Sequence, residues 1–313
     1  MNPLSAIFAS GVATRNALYD RRWLTVRALS RPVVSVGNIS VGGSGKTPLV
    51  IALGTLLKDR GIAFDVLSRG YGRDSGETLI VDPDGSPERF GDEPLLIARK
   101  LQVPVIVGAD RYQAGLLAEQ KFSSRLHILD DGFQHRRLRR DFDIVLLQPA
   151  DIEDTLLPFG RLRESLAALR RADAVVLPSG VAAPAGAAVV WRAERNVVPP
   201  STAMKRVIAF CGIARPRQFF VALKQSGIDI AETVCFSDHH RYRQRDVDRL
   251  LRTQARHAAQ GFMTTEKDAI NLGAFREQLK DLATAGLEVG LENGAAATTA
   301  LLATLEERCG CRF

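Results

Sequence analysis

A chain of 313 residues holds enough sequence for one large or two modest domains, each able to bury its own core, which excludes a mini-protein stapled by cysteines. Hydrophobic residues at 46% and charged residues at 25% match ordinary globular usage and exclude bulk disorder. Lysine and arginine number 42 against 35 aspartates and glutamates, and the net charge of +7 favours anionic partners without separating nucleic acid, phospholipid and nucleotide. No run of roughly eighteen apolar residues lacks a charge, and the N-terminus has no apolar core with a small-residue cleavage site. The reading is a cytosolic chain without a spanning helix. The cysteines, Cys211, Cys235, Cys309 and Cys311, form no C-x-x-C pair, have no histidines at zinc spacing, and are read as reduced thiols.

Residues 1–30 place Leu4, Ile7, Phe8 and Val12 at helical spacing, followed by Tyr19, Trp23, Leu24 and Val26 among Arg15, Arg21, Arg22 and Arg27. This predicts an amphipathic, basic helical segment. Two readings fit it: a helix packed on the core with a solvated basic face, and a helix lying on an anionic membrane surface. The run Pro32 to Val36 predicts a strand that feeds a glycine-rich loop and a helix over about 47–60. Further strands are expected at 64–67, 78–81, 103–107, 126–129, 144–147 and 174–177, with helical or mixed segments between many of them. That alternation predicts an α/β fold, a mostly parallel P-loop-type sheet flanked by helices, with a second, smaller α/β domain. An Ala-, Gly-, Val- and Pro-rich stretch at 178–200 marks the boundary, giving a domain at 31–180, a linker at 181–205 and a second domain at 206–313. In the second half, strands are expected at 206–212, 233–236 and 261–264, and no internal repeat is present.

The segment Gly42-Gly43-Ser44-Gly45-Lys46-Thr47 lies where a strand feeds a helix. Glycines let backbone N–H groups curl around phosphate oxygens, the lysine reaches the outer phosphates, and the hydroxyl of Thr47 is placed to ligate Mg²⁺. The full P-loop expression wants Gly where this chain has Ser40, so the match is to its G-K-T end. Asp130 and Asp131, after the strand at 126–129, supply a metal-side carboxylate; two aspartates at a strand end also serve as a turn cap. Together with the loop they read as the metal side of an NTPase site.

Nucleotide binding is a class, and the remaining residues narrow it. The run Thr265-Glu266-Lys267-Asp268 has the wrong spacing for a guanine-reading tetrad, Val41 stands where partitioning ATPases carry lysine, and no Ser-Gly-Gly signature helix of transport ATPases is present. A kinase acting on an alcohol remains, and it needs a base near the γ-phosphate. Two other classes stay open: a P-loop switch that hydrolyses nucleotide to regulate a partner, and a nucleotide-dependent lipid-binding protein without chemistry.

Residues 36–48, then Ser68-Arg69-Gly70-Tyr71-Gly72, Gly91-Asp92-Glu93-Pro94, Asp130-Asp131-Gly132-Phe133-Gln134-His135, Arg163-Glu164, Asp238-His239 and Thr265-Glu266-Lys267-Asp268 together resemble the tetraacyldisaccharide 4′-kinases of lipid A synthesis. The resemblance runs in order from about Pro32 to Asp268. It implies two α/β domains with ATP and Mg²⁺ between them, and transfer of the γ-phosphoryl group to the 4′-hydroxyl of a lipid A precursor disaccharide 1-phosphate. It also implies a peripheral location at the cytoplasmic face of the inner membrane, an anionic membrane surface as partner, and no nucleic acid. No oligomeric state follows from it. By position, Asp92 corresponds to the catalytic base and His239 to its partner across the domain cleft, with Lys46 on the phosphates. Thr47, Asp130 and Asp131 fall on the metal side, and Arg69, Gln134, His135, Arg163 and Glu164 at substrate or supporting positions.

Each of these has a plainer reading. Asp92, ahead of Glu93-Pro94 and the helical run 95–100, reads as a helix cap; His239 has His240 beside it; Arg69 reads as a solvated turn residue. Arg136, Arg137, Arg139 and Arg140 read either as a surface for anionic lipid or as a solvated turn.

Overall fold

The computed structural model describes residues 3–43, 45–200 and 206–313; Ser44 of the glycine-rich loop, residues 1–2 and the end of the expected linker at 201–205 lie outside the described residues. The first half of the chain runs α1 (Pro3–Asp20), β1 (Val33–Gly37), α2 (Lys46–Lys58), β2 (Phe64–Ser68), β3 (Leu79–Ile80), α3 (Pro87–Phe90), α4 (Asp92–Leu101), β4 (Val105–Val107), α5 (Arg111–Lys121), β5 (Leu126–Asp130), β6 (Phe142–Leu146), α6 (Pro149–Ile152) and β7 (Ala174–Pro178). The order of strands is then β8 (Val190–Val198), β9 (Val207–Cys211), α7 (Pro216–Gln225), β10 (Ile230–Cys235), α8 (Gln244–His257), β11 (Gly261–Thr265), α9 (Glu266–Asn271), β12 (Leu282–Leu291) and α10 (Gly294–Cys309).

Strands β1, β2, β5 and β6 are buried at every position, as their continuous apolar runs demand of a parallel sheet covered on both faces. All twelve strands join one sheet in the order β10-β9-β11-β12-β8-β7-β6-β1-β5-β2-β4-β3. Pairing is parallel except at two places, the short edge β3 on β4 and the ribbon β8 on β12. The sheet therefore consists of two parallel sets joined by an antiparallel ribbon. Within the first set β1 sits between β5 and β6, and within the second β9 sits between β10 and β11, so each set has a point where strand order reverses.

Two strands were not legible in the sequence. The stretch read as linker contains β8, which runs Val175↔Val190 to Pro178↔Ala193 beside β7, and its burial alternates because only one face is covered. Strand β12 carries four glycine or alanine positions along its length and pairs β8 from Gly286↔Val198 to Leu291↔Ala193. The chain crosses from the first parallel set to the second along β8 and returns along β12. Helix α10 then packs back on α2 and β6, with Leu301 and Leu305 fully buried in the main core beside Leu53 and Val36. Arg60 donates to Thr299 Oγ1 at 2.8 Å, and Arg308 pairs with Asp173 at 2.7 Å, fixing the helix from both ends. Residues 294–309 thus belong with the first half and not, as the sequence division had it, with the second.

Helix α1 exposes two of its large apolar residues. Ile7 is 69% exposed and Leu4 56%, Trp23 and Val26 beyond its end are also exposed, and the buried positions of the helix are Ser5 and Tyr19. The helix is nonetheless attached to the first half, with Phe8 and Val12 half-buried and Asn16 bonded to Glu164 at 2.7 Å. Tyr19 is gripped between the guanidiniums of Arg15 and Arg136, 5.6 and 5.1 Å from its ring centre.

Because α10 closes the core of the first half, Leu301→Ala should cost about 2–5 kcal/mol, the range for a fully buried leucine that leaves a cavity. Urea unfolding should show the loss in the transition that reports the first half.

Candidate active site

The glycine-rich loop leaves β1 at the reversal point between β5 and β6. Gly42 and Gly45 take left-handed backbone with φ of 91° and 95°, conformations that a side chain at either position would strain. Gly45 caps α2, so Lys46 and Thr47 open the helix and its N-terminal amides face the space beyond. Lys46 Nζ lies 3.4 Å from Asp131 Oδ1 and 3.4 Å from Asn38 Oδ1. Ser40, in the place of the expected glycine, is buried, and its segment bridges to Leu162. That position anchors the loop to the segment at 153–165 in place of curving around phosphate.

Asp130 and Asp131 follow β5 and part company electrostatically. Asp130 is buried and accepts a hydrogen bond from Ser68 Oγ at 3.0 Å; burial and the neighbouring charges of Glu93 and Asp131 push its carboxyl up to about 7. Asp131 has a left-handed backbone, φ 51°, and burial pushes its carboxyl up as well, but the lysine of the loop and Arg163 at 3.2 Å overcome this and hold it below its ordinary value. Asp131 has two cationic partners, whereas Asp130 is bonded to a serine hydroxyl. Arg163 lines the cavity in this role.

Asp92 stands at the first position of α4, after Gly91, which takes the cap position with φ 88°. The cap reading of Asp92 is therefore corrected, although the carboxylate still benefits from the helix N-terminus. It is 4% exposed and ringed by groups from the second half of the chain. His239 Nδ1 lies 3.0 Å from Oδ2, Asn271 Nδ2 donates to Oδ2 at 2.9 Å, and Lys267 Nζ is 3.7 Å away. Burial raises the carboxyl, and the His239 hydrogen bond, the Lys267 charge and the Asn271 amide together outweigh it and hold the group at about 2.

His239 is fixed by its backbone as much as by its ring. It has φ 54°, its N–H donates to Gly212 O at 3.2 Å, and Tyr71 tilts against the imidazole at 5.0 Å. Burial lowers the imidazole and Lys267 opposes its charge, yet the Asp92 hydrogen bond leaves it above its ordinary value. Lys267 Nζ also lies 3.2 Å from Nε2. That contact is a hydrogen bond only when Nε2 carries the lone pair, so the neutral ring donates from Nδ1 to Asp92. His240 is separate: it stacks on Phe236 and bonds Asp246 at 3.1 Å, a structural role.

The loop, both aspartates, Arg163, His239 and Lys267 line one cavity of about 1270 Å³, into which the exposed Arg69 also reaches. Gln134, His135 and Glu164 lie behind it. Glu164 is 2% exposed and accepts from Arg171 at 2.6 Å, from Asn16 of α1 at 2.7 Å and from Gln134 at 3.2 Å, while Gln134 also donates to Asn38 O at 2.8 Å. His135 is pushed down to about 4 by burial and by Arg111, and stays neutral. Of the arginines after the aspartate pair, Arg136 bonds Asp20, Arg139 pairs with Asp141 and Arg140 with Asp143, so three of them are held by the chain's own carboxylates.

Lys267 and Asn271 carry no assigned role in the sequence reading. They lie four residues apart on α9, and a helix puts such positions on one face, which is the signal that could have found them. Asp268 explains the rest of that motif: it accepts from Gly212 N at 2.8 Å and Tyr242 Oη at 2.9 Å, and it bonds Thr265 Oγ1 at 2.6 Å, tying the start of α9 to the end of β9.

With this geometry in place, similarity to known proteins is specific. The family model described as tetraacyldisaccharide-1-P 4′-kinase matches residues 1–306. The tetraacyldisaccharide 4′-kinase of Koribacter versatilis is 51% identical over 322 aligned residues, covering 99% of this chain and all of that one. The Aquifex aeolicus tetraacyldisaccharide 4′-kinase is 41% identical over 292, covering 87% and 89%. A crystal structure of the "apo" form of LpxK from Aquifex aeolicus in complex with ATP superposes with a TM-score of 0.80 at 36% identity, over 97% of this chain and 98% of that one. The chain belongs to the tetraacyldisaccharide-1-P 4′-kinase family.

Proposed function

We propose that this protein transfers the γ-phosphoryl group of ATP to the 4′-hydroxyl of a tetraacylated disaccharide 1-phosphate, a step of lipid A synthesis. The observation that carries the reading is His239, hydrogen-bonded to the buried Asp92, lining one cavity together with a phosphate loop. A carboxylate and a phosphate cradle in the same space are what transfer to an alcohol requires. The loop amides and Lys46 hold the β- and γ-phosphates. Asp92 accepts a hydrogen bond from the attacking hydroxyl and takes its proton as the new O–P bond forms and the bond to ADP breaks. His239 and Asn271 keep the carboxylate turned toward the acceptor. Because such transition states are loose, most of the catalysis lies in positioning, which suits a base held by groups that cannot swing away.

The oxygen donors suit Mg²⁺. Thr47 and Asp130 would hold it, and the raised carboxyl of Asp130 marks a place where negative charge is crowded and a cation is favoured. Among the described residues no three acidic, histidine or cysteine side chains converge into a cage, which agrees with an ion held largely by substrate phosphates and water. Bound there, Mg²⁺ would neutralise charge on the phosphate oxygens. Asp131, already paired twice, supports Lys46 and Arg163.

Two units are inferred: residues 31–198 with 292–313 as the nucleotide side, and 206–281 as the side that brings His239 and Lys267. No described helix is long and apolar enough to cross a membrane. Ile7, Trp23, Val26 and Phe159 form instead an exposed apolar set, flanked by the exposed Arg21 and Arg22, suited to a peripheral position on the anionic cytoplasmic face of the inner membrane.

The direct test is labelled phosphate transfer from Mg-ATP to the purified disaccharide 1-phosphate in detergent micelles. Wild type should form product, and Asp92→Asn should lose about a hundred- to ten-thousand-fold in kcat with the fold intact. Lys46→Ala should lose transfer as well. ATP hydrolysis without lipid labelling by wild type would leave a nucleotide-binding protein of another class.

The pH response follows from the pair. Asp92, held at about 2, contributes stability fully above its unfolded value of about 4, and loses it as pH falls through about 2. His239, held above its ordinary value, contributes fully below about 6.5 and loses its share as pH rises through the folded value. His239→Ala removes the strongest support of the ionised carboxylate. Its kcat/KM profile should gain an acidic limb at higher pH than wild type shows.

For the surface segment, vesicle flotation with anionic phospholipid should retain wild type and release Trp23→Glu and Ile7→Glu. Each substitution should weaken binding about tenfold or more, the worth of one buried apolar side chain. Equal flotation of the variants would remove α1 from membrane contact.

A further inference from the structure

Three guanidiniums reach the phosphate loop from three separate parts of the chain, and none belongs to the glycine-lysine-threonine motif. Arg161 comes from the segment between α6 and β7, Arg195 from β8, and Arg215 from the residue that precedes α7. A Cβ built on Gly42 would lie 3.0 Å from Arg161 Nη2, and one on Gly45 would lie 3.3 Å from Arg195 Cζ. One on Gly43 would lie 3.2 Å from the Cβ of Ala214, the neighbour of Arg215. Arg161 and Arg195 therefore crowd the loop directly, Arg215 lines the same cavity beside it, and two of the three belong to the ribbon and to the second parallel set.

The acceptors that meet Arg161 and Arg215 are neutral oxygens. Arg161 Nη2 donates to the carbonyl of Val41 at 2.9 Å. Gln148 Oε1, a neutral acceptor, takes a hydrogen bond from Arg195 Nη1 at 3.3 Å and another from Arg215 Nη1 at 3.2 Å. Among the described residues neither Arg161 nor Arg215 forms an ion pair. Asp151, the carboxylate whose charge Arg215 feels, accepts the backbone N–H of Gln148 at Oδ2 at 2.8 Å and makes no direct contact with Arg215. Arg215 keeps Nε and Nη2 closed off from solvent with no hydrogen-bond partner. Burial presses both Arg195 and Arg215 below the ordinary guanidinium range, helped by the charge of Arg215 on the first and of Arg161 on the second.

A buried guanidinium with idle donors is costly, and like charges gathered around one amide oxygen are more so. The arrangement makes sense when an anion of high charge joins it, because a guanidinium fork matches phosphate oxygens two at a time. The cavity in which the P-loop, Arg195 and Arg215 meet is the one described above. We propose that Arg195 and Arg215, braced by Arg161, clamp the polyphosphate of the nucleotide onto the P-loop, with Gln148 holding the two guanidiniums in place until phosphate oxygens take over from its carbonyl. The proposal rests on the kinase reading and deepens it by assigning the face of the nucleotide that the glycine-rich loop leaves open. It also gives ATP a contact with both halves of the chain.

The clamp is tested with Arg215→Gln and Arg195→Gln in the full-length protein, by calorimetric titration of ATP, ADP and adenosine and by KM for ATP and for the lipid separately. ATP and ADP should bind about ten- to a hundredfold more weakly, the scale of a lost charge-assisted hydrogen bond, with adenosine unchanged. KM for ATP should rise in step while KM for the lipid stays put, and Arg215→Lys should restore part of the affinity. The lysine variant also serves as the readout if the glutamine variant fails to fold. ATP affinity unchanged within about twofold in correctly folded variants overturns the clamp, and so does a rise in the lipid KM alone, which would place the acceptor's own phosphate there. If wild type binds ATP through Arg215 yet labels no lipid, the kinase reading fails and the clamp stands. If wild type labels lipid and the variants match it, the clamp fails alone.

Discussion

An ionised carboxylate that is almost wholly buried must find its compensation nearby, and Asp92 finds it in residues 147 to 179 positions further along the chain. Everything about the relative placement of the two parallel sets serves that requirement. His239 arrives after β10, Lys267 and Asn271 on one face of α9, and all three depend on the tie that Asp268 makes between β9, Tyr242 and Thr265. Removing the second set would leave a bare charge at the start of α4. The same contacts that hold the halves together thus keep the Asp92 carboxylate ionised.

Charge is sorted across the cleft by a similar logic. Asp130 and Asp131 are sequence neighbours with opposite fates, because the reversal of direction at the end of β5 turns one toward Ser68 and Glu93 and the other toward Lys46 and Arg163. Lys267 stands near Asp92, Glu93 and Asp238 at once, and their charges keep it protonated against its burial. The cavity thus carries carboxylates on one wall and guanidiniums on another, a sorting that suits the polyphosphate and counter-ion of the proposed function.

Much of this was readable from residue order. The strand at 33–37 feeding Gly-Lys-Thr, the aspartates closing β5 and the run of short β-branched strands follow from periodicity and loop chemistry, and the structure places them within a residue or two. The pairing of Asp92 with His239 rested on resemblance, since no local pattern joins positions so far apart. Strands β8 and β12 escaped notice for a physical reason: they form a half-covered ribbon, and their glycines, alanines and charged residues break the apolar runs that mark the buried strands. Arg161, Arg195 and Arg215 were equally invisible, because isolated arginines in a basic chain carry no spacing signal and their convergence exists only in three dimensions. Gln134 and Glu164 were marked as site residues, and they act one layer back, joining α1 to the backbone beneath the loop.

The return of the chain along β12 bears on how the protein is made. Ala297, Leu301 and Leu305 sit in the same core as Val36, Leu49 and Leu53, so the hydrophobic interior that supports the phosphate loop is sealed by residues emerging from the ribosome some 250 positions after the loop itself. The second parallel set is an excursion inserted into the first and not an appendage behind it. N-terminal-first folding, the usual order for tandem domains, would leave this core without its last helix. The inserted set is the part that can complete its sheet first, while the nucleotide-binding half waits, with its apolar sheet face uncovered, for its final helix.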